Sequence, residues 1–304
     1  MPQPLTPVSD VLTAYKTCEF VTLSKDGTPL AWPTSGITRP DGTFLLTTSV
    51  SYPQKAFNIR RDGRVALLFS EPYASGVEHP EQVLVTGEAT CPDEIHTDPS
   101  GDLGDFWARI FTLQPGSTKY LDWPINRLTD FYFFRLMIRI TPSSVETRPL
   151  PPAAPPAESA RVGGEVLAAY PTAVLAARDD TGAPLLIRTN VVSTPSGYSV
   201  AVPADLPVTA GPASLLVHRH DDKLDKLHSA SVVGTLAPST DGSWLLTPTR
   251  LIEPGTRHKG KVSDQIKLIR GLRAATDRYL TRRGLTRPSV PWAAYRKIRA
   301  ALPK

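Results

Sequence analysis

The stretch "FVTLSKDGTPLAW", Phe20 to Trp32, recurs as "AVLAARDDTGAPLLI", Ala173 to Ile187. Each is an apolar run, an acidic turn with glycine, and a second apolar run, which predicts a β-hairpin. Working outward, three further pieces recur in the same order: "DGTFLLTT" with "PSGYSVAV", "GRVALLF" with "GPASLLV", and "VLVTGEA" with "SVVGTLA". So long a period marks duplicated domains rather than a solenoid of small repeats. Short strands rich in Val, Leu, Ile and Thr, punctuated by Gly and Pro, predict a small antiparallel barrel in each copy and a fold that is mainly β with peripheral helices.

Between the copies lies "RPLPPAAPPAESARVGGE", a Pro- and Ala-rich segment without apolar periodicity that suits a semi-rigid linker. The expected organisation is therefore a first barrel over residues 1–147, a linker over 148–165, a second barrel over 166–255 and a basic helical tail over 256–304. The copies differ in one informative place. Thr48 and Gly63 are 15 positions apart, whereas Val202 and Gly211 are 9 apart, so the second copy lacks the segment that carries Lys55. It has Pro203 and Pro207 there, which disfavour a helix, and no lysine or arginine in "YSVAVPADLPVTAGPASLLV". The first copy also inserts "DFWARIFTLQPGSTKYLDWPINRL", with Phe106, Ile110 and Leu113 at helical spacing.

A chain of 304 residues with 40% hydrophobic and 21% charged content is globular and long enough for two domains. No apolar run reaches membrane-spanning length and the N-terminus lacks a signal-peptide layout, so a cytoplasmic protein with no membrane association is expected. Cys18 and Cys91 stand far apart and read as reduced thiols rather than a disulfide. His218, His220 and His228 invite a metal, but no further ligand stands at a diagnostic spacing, so they read as interface or surface residues and no metal site is expected. Hydrolase and nucleotide-kinase motifs do not occur in a suitable context. Charge is uneven: from Thr256 onward fourteen basic residues face two acids, while the preceding chain has 20 basic and 27 acidic residues. This polarity favours a tail docked on an acidic body over an arm that binds nucleic acid. Val262, Ile266, Ile269, Leu272 and Tyr279 form the apolar stripe by which a C-terminal helix would dock.

The series "LSKDGTPLAWP", "DGTFLLTTS", "KAFNIRRDGRVALL", "VLVTGEAT" and "KYLDWPINRL" before a strand ending "RITPSSVE" resembles the split β-barrel family of pyridoxamine-phosphate-oxidase-like proteins, which includes flavin- and deazaflavin-dependent oxidoreductases. The resemblance covers about the first 147 residues and reaches the second half through the repeat. It implies two tandem split barrels forming a dimer within one chain, a monomeric pseudo-dimer, with a cofactor at the interface of the halves. The implied cofactor is the deazaflavin coenzyme F-420 or flavin mononucleotide (FMN), used in hydride transfer on a small-molecule substrate. The alternatives are an FMN oxidase or reductase of the same fold, and a non-catalytic binder of flavin, haem or another ligand. The family's phosphate-binding lysine matches Lys55, with the Thr47, Thr48 and Ser49 hydroxyls adjacent and Asn58 one turn on to cap or brace the loop. Arg60 and Arg61 are further candidates, although successive helical residues cannot both point at one ligand. Oxidases of the family have an arginine on the preceding strand, where this chain reads Ala31, Trp32, Pro33, Thr34, Ser35. Thr34 and Ser35 are retained as candidates, and Arg188 in the second copy could face the site from the other half or take the place of the missing first-copy arginine at a vestigial second site. No catalytic residue is assigned.

Overall fold

The computed structural model describes residues 8–154, 159–253 and 262–303, with backbone only at 262–264. After a short helix α1 (Ser9–Ala14), the first half runs β1 (Cys18–Leu23), β2 (Pro29–Thr34), β3 (Ile37–Thr38), β4 (Phe44–Ser49), α2 (Gln54–Arg61), β5 (Arg64–Phe69) and β6 (Glu81–Thr90). Helix α3 (Gly101–Leu113) and a single turn, α4 (Ile125–Leu128), precede β7 (Arg135–Pro149), which continues two residues into the segment expected to be linker. Helix α5 (Gly164–Ala168) opens the second half. It continues as β8 (Ala173–Asp179), β9 (Pro184–Thr189), β10 (Val191–Ser193), β11 (Tyr198–Val200), β12 (Val208–Arg219), β13 (His228–Pro238) and β14 (Trp244–Ile252). Two C-terminal helices follow, α6 (Val262–Thr281) and α7 (Trp292–Ala301), where the sequence led us to expect one. No helix among the described residues is long and apolar enough to cross a membrane.

The two halves form two seven-stranded antiparallel sheets. The first has the order β2-β1-β5-β6-β7-β4-β3, and the second, read from its far edge, β9-β8-β12-β13-β14-β11-β10. These orders are identical once each strand is matched to its counterpart seven strands later. A shared irregularity fixes the match residue by residue. Gly87 on β6 faces Pro142 across a bulge in β7, and Gly234 on β13 faces Pro248 across a bulge in β14. A Cβ at Gly87 would lie 2.3 Å from the Thr141 carbonyl oxygen, and one at Gly234 2.2 Å from that of Thr247, so only glycine permits either crossing.

The halves also pack as related by a two-fold. Strand β2 lies against β8, β12 and β13, and β9 lies against the counterparts β1, β5 and β6. Strands β1 and β9 are buried at every position, because one face meets the interior of their own curled sheet and the other meets the partner half. One apolar cluster crosses the boundary, joining Val21, Ala66 and Leu68 to Val174, Ala213 and Leu215. In the second half no helix stands between β11 and β12. That stretch instead buries Leu206 in the shared core.

The tail packs on the first half. Ile269, Leu272 and Tyr279 join the core that contains Phe20 and Phe134, and Tyr295 is fully buried among Trp107, Phe133 and Trp292 beneath α3. Two members of the predicted stripe need correction or lie beyond reach. Ile266 is 43% exposed, because docking begins a turn later, and the Val262 side chain lies outside the described residues. Ion pairs follow the apolar contacts: Arg273 and Arg287 meet Asp130, Arg283 meets Asp93, and Arg299 meets Asp122. The surplus of acid in the body and of base in the tail thus meet across a packed surface.

Candidate functional site

Lys55 is the second residue of α2, in the connection that only the first half keeps. Its side chain is half-buried and its Nζ lies 5.5 Å from the centroid of the Trp32 ring. Among the described residues the ammonium has no hydrogen-bond or ion-pair partner. Burial pushes its pKa from 10.5 down to about 8; the nearby Cys18 thiol opposes this shift, and the positive charge of Arg135 adds to it. A desolvated, unpaired cation is costly for a fold to keep, and an anion brought beside it would remove that cost.

The surrounding side chains hold this lysine in place. Asn58, fully buried, donates to Thr22 Oγ1 at 2.8 Å and accepts from Gln54 at 2.7 Å and from Arg61 at 3.1 Å. It braces the helix. Thr48 donates to the Tyr52 carbonyl at 2.8 Å, and Ser49 donates to the Phe131 carbonyl at 3.0 Å while accepting from the Ser51 N–H. Thr48 and Ser49 therefore correct their expected role, because both hydroxyls are committed to the turn that presents Lys55. Thr47 Oγ1 alone of the three is buried without a partner among the described residues.

Three further candidates, Arg60, Arg61 and Ser35, are engaged elsewhere. Arg60 donates to the Cys91 and Pro92 carbonyls and pairs with Asp93 at 3.0 Å. Arg61 donates to the Leu23 carbonyl at 2.6 Å. Adjacent helical positions diverge, and both side chains are occupied in tying α2 to the barrel. Ser35 donates to the Lys16 carbonyl at 2.8 Å, while Thr34, opposite Cys18 in the β1–β2 register, stays half-exposed.

Arg188 is engaged elsewhere as well. It is 9% exposed and points into the boundary between the halves, where it donates to Glu19 at 3.0 Å, to Ser70 at 2.8 Å and to Thr172 at 3.0 Å. Glu19 also meets His218 Nε2 at 2.5 Å and accepts from Ser70 at 2.9 Å. Burial raises the Glu19 pKa, but hydrogen bonding and charge from His218, then Arg188 and Ser70, outweigh it and hold the carboxyl below its ordinary value. This network pins the halves together and engages Arg188 at their boundary.

Trp32 also forms part of the wall of a cleft of about 750 Å³ between the halves. The first half contributes Gln54 and Lys25, and the second contributes Ser231, Arg250 and Ile252. The second-half residues were not foreseen, since none belongs to a local motif. At the position related by the two-fold the same groups are missing. Register matching puts Ile187 in place of Trp32, Leu84 in place of Ser231, Ser144 in place of Arg250 and Glu146 in place of Ile252. There Arg148 bridges Glu146 and Asp205 at 3.2 and 2.8 Å, and the connection between β11 and β12 has no lysine.

No family model and no curated protein matches the chain. Solved structures similar to it include a putative pyridoxamine 5'-phosphate oxidase from Listeria innocua, at 14% identity over 47% of this chain and 95% of that one, with a TM-score of 0.31. An F420 reductase is similar at 20% identity over 45% and 94%, with a TM-score of 0.31. HutZ, the haem storage protein of Vibrio cholerae, is similar at 13% identity over 47% and 94%, with a TM-score of 0.32. The chain itself repeats one strand order twice. Two curled antiparallel sheets of this order fit a split-barrel fold. The chain is a tandem split β-barrel. In this tandem barrel the cleft beside Lys55 draws its walls from both halves, and Lys55 itself comes from the first.

Proposed function

We propose that the tandem barrel is an oxidoreductase that holds one flavin-type cofactor, FMN or the deazaflavin coenzyme F-420, in the cleft between its halves. The observation that carries this is the half-buried Lys55 ammonium, unpaired among the described residues, set against a tryptophan that walls an inter-half cleft. A phosphate-bearing cofactor with a planar ring system fits these groups: Lys55 would hold the phosphate, and Trp32 and Ile252 offer apolar surface for the ring. Such a cofactor supplies hydride acceptance and donation. The chain's own residues bind and orient: Asn58 locks α2 through Thr22, Thr48 and Ser49 fix the turn, and the second half closes the far wall. The substrate is a small molecule entering the same cleft.

Lys55→Ala is expected to weaken binding of FMN and of the deazaflavin coenzyme by 10- to 100-fold, about 1.5–3 kcal/mol for a hydrogen bond to a charged group. The melting temperature should hold or rise, because the change removes a desolvated charge. Fluorescence titration and a thermal melt on the same variant check both halves of this expectation; unaltered affinity would overturn the assignment. A pH dependence follows as well. The unfolded lysine titrates near 10.5 and the folded one near 8, so the unfolded chain binds more protons between these values and stability should rise with pH across that window. Anion binding favours the charged amine, so near pH 8 to 9 it should take up protons, measurable by titration calorimetry in buffers of different ionisation enthalpy.

Stoichiometry tests the asymmetry of the halves. With Ile187, Ser144 and Glu146 at the related position, titration should saturate at one cofactor per chain, and light scattering should give a monomer. Two equivalent sites, or a tight dimer with cofactor shared between chains, would defeat it.

A further inference from the structure

We infer that the ligand of this cleft carries two separated anionic groups, and that the second half has become a selectivity element which reads the outer one through Arg250. The inference rests on the reading above that the cleft binds a flavin-type cofactor. Arg250 lies on β14 and lines the cleft from the second half, whereas Lys55 and Trp32 belong to the first. Arg250 is exposed, and its side chain has no ion pair or hydrogen bond among the described residues. That sets it apart from Arg64, Arg148, Arg188, Arg273, Arg283, Arg287 and Arg299, each of which meets a carboxylate. Its register partner is Val233, and the neighbouring pair on the same face is Ser231 with Ile252, so nothing on β13 neutralises it. Lys25, also without a partner among the described residues, adds positive charge to the cleft. The one carboxylate in the lining, Asp26, is engaged within its own turn by Ser24 and by the Thr28 N–H at 3.2 Å, and these hydrogen bonds hold its pKa at about 2.

The duplication explains how such a residue can exist. In a symmetric dimer every side chain serves two sites, so a cation gained at one is gained at both. Fusion removes that constraint. Where the first half has Ser144, the second has Arg250, and where the first has Glu146, the second has Ile252; both differences make the retained cleft more favourable to an anion than its counterpart. A cofactor with a single phosphate satisfies Lys55 and leaves Arg250 unused. One with a phosphodiester and carboxylates further along its tail, as in the deazaflavin coenzyme, satisfies both.

The test is Arg250→Gln, titrated with FMN and with the deazaflavin coenzyme beside the wild-type chain and Lys55→Ala. The variant should bind the deazaflavin coenzyme about tenfold more weakly and FMN within about twofold of wild type, with the difference shrinking at high salt. Its melting temperature should not move, since the Arg250 side chain makes no hydrogen bond or ion pair among the described residues. Equal weakening for both cofactors, no weakening for either, or wild-type binding of FMN alone would overturn the inference while the cofactor cleft stands. Binding of neither cofactor by the wild-type chain would overturn the cofactor cleft itself, and this inference with it.

Discussion

Deleting residues 254–304 is expected to abolish cooperative folding of the first half rather than to remove an appendage. Tyr279, Leu280 and Tyr295 are each buried, and Tyr295 sits within an aromatic group that includes Trp107 and Phe133, with ring centroids 5.5 and 4.7 Å away. Full burial of such side chains is worth about 1.5–3 kcal/mol each, so three of them together rival the about 5–15 kcal/mol by which a native protein is stable. Tyr295→Ala alone should cost about 3–5 kcal/mol, for it leaves an aromatic-sized cavity and frees the Thr97 carbonyl that its hydroxyl engages at 2.9 Å. A thermal melt of the deletion and of the point variant measures both. A truncated chain that melts as sharply and as late as the full one would mean that the tail contributes nothing to the first core.

The second large effect is expected at Glu19. Its loss in Glu19→Ala leaves Arg188 and the His218 imidazole facing each other across a buried boundary without the carboxylate between them, a change worth about 3–5 kcal/mol. Replacing all three together by apolar residues of similar volume should lose less than the single change, because it leaves no group stranded. The network also gives the fold an acid limb. The Glu19 pKa is depressed on folding, so its stabilisation is complete above the unfolded value of about 4.3 and is lost as pH falls through the lower folded value. Urea melts from neutral to acidic pH check this. A Glu19→Gln chain showing the same acid limb as wild type would place the responsible carboxylate elsewhere.

How much of this was legible in the sequence depended on distance along the chain. The hairpins repeat because each is built from contiguous residues, and the missing six-residue segment in the second copy is visible by length alone. Lys55 came through a resemblance, and its isolation among the described residues, its strongest physical credential, appears only in three dimensions. Arg60 and Arg61 carried the same kind of signal and proved to be braces, since sequence does not distinguish an arginine facing a ligand from one donating to nearby carbonyls. The Glu19 network was illegible for a plainer reason: its arginine and histidine lie 169 and 199 positions away. Arg250 has no local mark at all. Helix α7 was legible but passed over, because Trp292, Tyr295 and Ile298 recur at helical spacing directly after Pro291.

The burial of Tyr295 against Trp107 also orders events during synthesis. The first barrel leaves the ribosome long before the helix that completes its outer layer, so it must wait, incomplete, while the entire second barrel is made. For that interval the surface around Trp107 and Phe133 is open to solvent and to misplaced partners, the situation in which multidomain chains call on chaperones. A chain terminated before Tyr295 would therefore have its earliest-made half left unfinished.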